Sequence, residues 1–537
     1  MDQSQIDAIR QGYTFEQPSL ELGVLMVDDQ PAPDVPIRIP VQMFNRHGLV
    51  AGATGTGKTV TLQVMAEQLS RAGVPVFAAD IKSDLSGMAS PGKPNDKLLA
   101  RVAKLGQDWK PEACPVEFYA LGGQGIGVPV RATMTSFGPV LLSKVLGLNT
   151  VQESSLGLVF YYADKAGLPL LDIADLRTLL QYLSSDEGKD ELKGIGGLSA
   201  ATVGVILRAL IGFEQQGADA FFGEPEFDTR DLLRVLPDGR GVVSLMELPN
   251  LQDRPALFST FLMWLLADLF HDLPEVGDAD KPKLVFFFDE AHLLFQDASK
   301  AFLDAIAQTV RLIRSKGVGV FFVTQTPKDV PEDVLAQLGS RIQHQLRAHT
   351  PNDAKALKAT VSTYPVSGYD LGEVLQALSI GEAIITVMNP KGAPTPVAWT
   401  RMLAPCSQMG PTPEEVLRPG VAMSSLMGKY GQVIDRDSAH EMLTRKLEAG
   451  AQAAAEAEQA KQAEKDQAAQ AKADAAQAKA DAAAERAQQQ ADARAERARR
   501  AQPSVVETVT KSSVFRSFIN SATREVVRGL FGTARRR

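Results

Sequence analysis

The chain has 537 residues, too many for one ordinary core, and its 45% hydrophobic and 22% charged content is that of a globular protein rather than a disordered or fibrous one. Two cysteines, Cys114 and Cys406, form neither a metal-binding nor a disulfide pattern, which points to a reducing, cytoplasmic setting. A formal net charge of −8 argues against a surface that coats nucleic acid throughout, while leaving room for basic residues that line only a pore.

The start of the chain has neither a basic nor an apolar signal region. Residues 1–47 form a short N-terminal segment, with Leu20 to Val27 and Pro36 to Val41 as strand candidates. A first core part, 48–137, opens on the apolar run Gly48-Leu49-Val50-Ala51. Gly52-Ala53-Thr54-Gly55-Thr56-Gly57-Lys58-Thr59 follows, and then a helix running to about Ala72. A glycine-rich loop between a strand and a helix turns its N–H groups inward at a phosphate and adds the positive end of the helix dipole. A Gly/Thr-rich turn could match eight residues by chance, but the flanking strand and helix argue for nucleotide binding. Lys58 would reach the β- and γ-phosphates and the Thr59 hydroxyl would coordinate Mg²⁺.

Val74 to Asp80 reads as the next strand. Asp80 and Lys82 at its end face the crevice edge that the loop occupies, although Lys82-Ser83-Asp84-Leu85-Ser86-Gly87 is also ordinary turn chemistry. Residues 138–235 turn helical, with apolar positions at i, i+3, i+4 in Val140 to Leu146 and Leu176 to Leu183, the pattern of an all-helical insertion.

The second core part, 236–405, resumes with the strand Gly241 to Met246. Phe258 to Phe270 is too short for a membrane span and contains Asp268, so it reads as a core helix. Leu284-Val285-Phe286-Phe287-Phe288 is a strand buried on both faces, ending in Asp289-Glu290. Asp289 is placed to hold Mg²⁺ and Glu290 to polarise the attacking water; alone, the two acids could equally face solvent at a strand end. Gly317 to Thr324 is another buried strand, with Gln325 at its carboxyl end, where a glutamine orients water or senses the γ-phosphate or else makes a turn contact before Pro327. Three motifs on three strands make an ATPase. Glu382 to Met388 is a last strand, and the proline-rich stretch Lys391 to Val397 closes the globular part.

Residues 406–448 are expected to connect. From 449 to 502 the composition falls to Ala, Gln and charged residues with a seven-residue repeat at 469–475 and 476–482. That predicts a long helix whose alanine seam is too thin for a strong coiled coil. Over 503–537, Val514, Phe515, Phe518, Ile519, Ala522 and Val526 form an apolar stripe beside arginines, ending in Arg535-Arg536-Arg537. Such a helix docks on a membrane surface or a protein partner, or packs on its own core.

Asn45 to Thr59, Ala79 to Gly87, Phe288 to Leu294 and Gln337 to His344, four separated motifs in order, resemble the bacterial HerA-like helicase family within the HerA/FtsK group of ATPases. The resemblance covers roughly 20 to 405 and the far C-terminal helix. It implies a RecA-like α/β P-loop sheet, a homo-oligomeric and hexameric ring with ATP at subunit interfaces, and a motor that moves nucleic acid through the centre. It carries the loop, metal and water roles to Lys58, Thr59, Asp289, Glu290 and Gln325. It also implies an arginine finger from a neighbouring subunit, for which Arg341, then Arg314 and Arg311, are the candidates. Archaeal members carry a β-barrel before the loop, whereas only residues 1–47 precede the first sheet strand here, which loosens the tie to their DNA transactions. Acidic charge and the basic tail keep a second reading open: an ATPase that remodels protein or works peripherally at a membrane.

Overall fold

The structure is a computed structural model and describes residues 1–499 apart from 193, 195, 249–254, 278, 297 and 299. Among the described residues, twelve strands form one sheet: β1 (Ser19–Val27), β2 (Gln30–Pro40), β3 (Gly48–Ala51), β4 (Val76–Asp80), β5 (Val116–Leu121), β6 (Val128–Val130), β7 (Val243–Glu247), β8 (Leu284–Phe288), β9 (Val318–Thr324), β10 (Ser340–Gln343), β11 (Glu382–Thr386) and β12 (Ala398–Met402). Their spatial order is β2-β1-β12-β11-β10-β3-β9-β8-β4-β7-β5-β6. From β10 to β6 every pairing is parallel; β11, β12, β1 and β2 extend the sheet antiparallel.

The apolar runs form central strands because both faces are covered. Alternate residues serve two cores: Leu49, Phe77, Phe286, Phe288 and Phe322 on one face, Val50, Val76, Val285, Phe287 and Phe321 on the other. The first core is filled by the helices between β6 and β7, among them Thr150–Ala166, Ile173–Ser184 and Ala200–Gln215, and by Pro255–Asp272, the helix expected around Phe258 to Phe270. The second receives Leu62, Met65, Ala66 and Leu69 of the helix Lys58–Arg71.

Residues 406–448, expected as a connection, are part of the compact unit Met1–Glu448. The chain closes later than the prolines at 391–397 suggest because buried polar groups hold it. Glu67 accepts from the N–H of Cys406 and of Ser407, each at 2.8 Å, and fully buried Tyr430 donates to Asp231 at 2.6 Å. A second unit starts at Ala449. Its residues 449–499 are helical, part of the helix Ala439–Arg499, and exposed from 449 to 498. The repeat gives Gln470–Asp474 and Gln477–Asp481 hydrogen bonds at i, i+4. The expected amphipathic helix at 503–537 lies outside the described residues. Among the described residues, no helix is long and apolar enough to cross a membrane.

Candidate functional site

Topology creates the site. The chain leaves β3 for β4, three places away in the sheet, and β9 and β8 later fill the gap, so the carboxyl ends of β3, β9, β8 and β4 share one crevice. The loop begins where β3 ends. Gly52 N–H donates to Thr324 O of β9 at 3.2 Å, and Ala53 N–H to Gln345 O at 2.8 Å. Gly57, at φ 109, turns the chain into the helix Lys58–Arg71, a left-handed conformation that disfavours a side chain. Buried Lys58 curls over the loop, its Nζ donating to Gly52 O at 2.8 Å and Ala53 O at 3.2 Å. Burial pulls its pKa down, while Glu290 and Asp289 pull it back up.

His344, just past β10, supports the loop from behind. Its Nδ1 faces the Glu382 carbonyl at 2.8 Å, which can only accept, so Nδ1 carries the proton and Nε2 accepts from the Thr61 hydroxyl at 3.0 Å. Full burial drives its pKa down to about 4, so it stays neutral.

Four acids close the crevice at the ends of three adjacent strands. Asp80 ends β4, Glu247 ends β7 opposite it in register, and Asp289 and Glu290 follow β8. Asp80 accepts from Leu85 N–H at 2.7 Å and Lys82 N–H at 3.2 Å, and Glu247 from the Ser83 hydroxyl at 2.6 Å. Burial and then Glu247 raise the Asp80 pKa to about 7; burial and then Glu290 raise that of Asp289 to about 6. Glu290 differs. Burial pushes its pKa up, but Lys82, whose Nζ binds its Oε1, outweighs that and holds it below the usual carboxylate range. Its backbone sits at φ 49, the residue is 6% exposed, and its Oε2 makes no hydrogen bond, with His292 Nδ1 3.2 Å away.

Gln325 is exposed at the end of β9. With Ala53 and Thr54 it lines a cavity of about 240 Å³, whose other walls include Lys328, Arg347 and His349. The structure thus brings the loop, Lys58, Asp289, Glu290, Gln325, Asp80 and Lys82 to one edge. Arg341 is elsewhere: it lies within β10, paired to Leu49 and Thr386, and its guanidinium binds the Thr363 hydroxyl. Arg311 is exposed and Arg314 lies in the turn Arg314–Lys316, both before the amino end of β9. Sequence reading missed Glu247 by ending its strand one residue early, at Met246; an acid closing an apolar strand was the available signal, as at Asp80 and Asp289. His344 and Arg347 gave no such signal.

Donors of this kind fit a magnesium nucleotide. A threonine hydroxyl and a buried carboxylate are hard oxygen ligands, and repulsion between Asp289 and Glu290 is what a divalent cation would relieve. Sheet order and the shared edge define the class, a RecA-like P-loop nucleoside triphosphatase. The bacterial conjugative coupling protein TrwBdeltaN70 has a similar fold, with a TM-score of 0.50 at 16% identity, covering 76% of this chain and 94% of that one. The plasmid coupling protein TrwB in complex with ADP and Mg²⁺ also scores 0.50 at 16% identity, over 75% and 92%.

The family model described as helicase HerA-like C-terminal matches residues 26–537, and the chain belongs to that family. Probable helicase MJECL08 of Methanocaldococcus jannaschii is 26% identical over 69% of this chain and 68% of its own length. The DNA double-strand break repair helicase HerA of Saccharolobus solfataricus is 23% identical over 66% and 64%. The chain therefore spans about two thirds of the curated relatives it matches.

Proposed function

We propose that this protein is an ATP-driven motor that translocates or unwinds nucleic acid, working as a homo-oligomeric, hexameric ring. The observation that carries this is the position of β9 between β3 and β8, which sets Gln325 between the loop and the acids. Binding would fall to Gly52, Ala53, Thr54, Gly55, Thr56 and Gly57, with Lys58 leaving its two loop carbonyls for the β- and γ-phosphates. Thr59 and Asp289 would hold Mg²⁺, which screens phosphate charge when bound. Glu290, kept ionised by Lys82, is the group that takes a proton from water; Gln325 orients that water. Arg341, or Arg314 or Arg311, would serve a neighbouring subunit's site, since none lines the cavity beside its own loop. DNA as the track is suggested by the break-repair helicase among the relatives. The test is ATP turnover by wild type, Lys58→Ala and Glu290→Gln, each with and without DNA. The reading requires both variants to lose turnover while Glu290→Gln still binds ATP; wild-type turnover by either sinks it.

A further inference from the structure

A cavity of about 480 Å³ lies between the β1–β2 turn, the helix Asp96–Leu105 and the end of the β11–β12 pair where Glu382 faces Arg401, and no residue from 52 to 59 lines it. The helix buries Leu98, Val102 and Leu105 at i, i+4, i+7. The same spacing one residue earlier sets Lys97, Arg101 and Lys104 in a stripe along the cavity wall. Arg401 of β12 also lines it.

Against these four cations the wall carries two carboxylates, Asp29 and Glu382. Glu382 is already engaged: Oε1 accepts from Arg401 at 2.9 Å, and Oε2 from Ser379 N–H at 3.0 Å and Trp399 Nε1 at 3.2 Å. Half-buried Arg101 donates to carbonyls rather than to a carboxylate, Met402 O at 2.6 Å and Gly381 O at 3.2 Å. Burial, and then the charge of Arg401, pull its pKa down to about 10. A chain with a formal net charge of −8 thus concentrates positive charge in one concave site.

Gly381, in the chain between the lining residues Ser379 and Glu382, ties the cavity wall to the nucleotide loop. Gly381 sits at φ +75, a left-handed conformation that disfavours a side chain, and a Cβ there would stand 2.7 Å from the Arg101 guanidinium. Its N–H donates to Thr56 O at 3.0 Å, one hydrogen bond from the loop.

We infer that this cavity binds a phosphate-bearing anion, supplied by a nucleic-acid strand or by a free nucleotide. Planar guanidinium and flexible ammonium groups around one hollow suit phosphate oxygens, and the two sources are separable by experiment. The inference goes beyond the motor reading, whose failure is registered on Lys58 and Glu290, residues outside this cavity.

The test uses the full chain carrying Lys97→Gln with Lys104→Gln, both exposed positions, and separately Arg101→Gln. Labelled single- and double-stranded DNA are titrated over a range of salt, and the KM for ATP is measured. For a nucleic-acid strand, the double variant binds DNA roughly tenfold or more weakly and its salt slope falls by about two, one per lysine, with KM unchanged. For a free nucleotide, KM rises and DNA binding stays as it was. Wild-type DNA affinity, salt slope and KM in the double variant would overturn the inference, whether or not Arg101→Gln folds.

Discussion

Lys82 and Glu290 carry the sharpest prediction at the scale of single residues. The contact from the Lys82 ammonium is what keeps a nearly buried carboxylate ionised while Asp289 beside it rises to about 6. Replacing Lys82 by methionine removes the opposing charge, so burial dominates and the Glu290 pKa rises. A general base must be deprotonated, so the acid limb of kcat against pH should shift to higher pH, with loss greatest below neutrality and partial recovery on the alkaline side. Lys82→Arg should restore the wild-type limb. An unshifted limb in Lys82→Met would mean that Lys82 does not position or tune Glu290. Glu290→Gln itself should lower kcat by about 10²- to 10⁴-fold, the usual range for removal of a general base, with ATP binding retained in equilibrium titration.

At the scale of elements, the strap from 403 to 409 over the helix Lys58–Arg71 is held by Glu67, whose carboxylate accepts two backbone N–H groups and the Ser407 hydroxyl. Glu67→Ala would strand two donors at a cost of about 2–5 kcal/mol, read as a lower denaturation midpoint. A midpoint equal to wild type would mean the strap does not hold the helix. The sequence made some elements plain and hid others for physical reasons. β8 and β9 were visible because burial on both faces demands unbroken apolar runs, and the loop because phosphate cradling demands its glycines. β10 was not: it has four residues, two of them Arg341 and Gln343, and owes its strand to parallel pairing with β3. β2 was seen only over Pro36 to Pro40, since Pro31 and Pro33 discourage a strand except at a sheet edge, which is where it lies. The site was legible where an acid or glutamine ends an apolar strand. It was illegible at His344, whose hydrogen bond to Thr61 spans 283 residues of chain.

Every proposed nucleotide-site residue lies within Met1–Glu448, and in the second unit residues 449–498 are exposed helix. A chain ending at 448 should keep wild-type ATP turnover, whereas one ending at 405 loses the buried contacts of Tyr430 and Glu67 and should be unstable. If the chain ending at 448 is inactive, residues beyond it complete the site. A ring with shared sites requires specific activity to rise with protein concentration and Arg341→Ala to poison wild type in mixtures. Activity independent of concentration, from a protein that stays monomeric with ATP, removes the ring. A motor driven by ATP along nucleic acid is tested by the ATP turnover of the 537-residue chain with and without single- and double-stranded DNA. The predicted result is turnover that depends on Lys58 and rises when DNA is added; turnover indifferent to either form of DNA, or undiminished in Lys58→Ala, would contradict it.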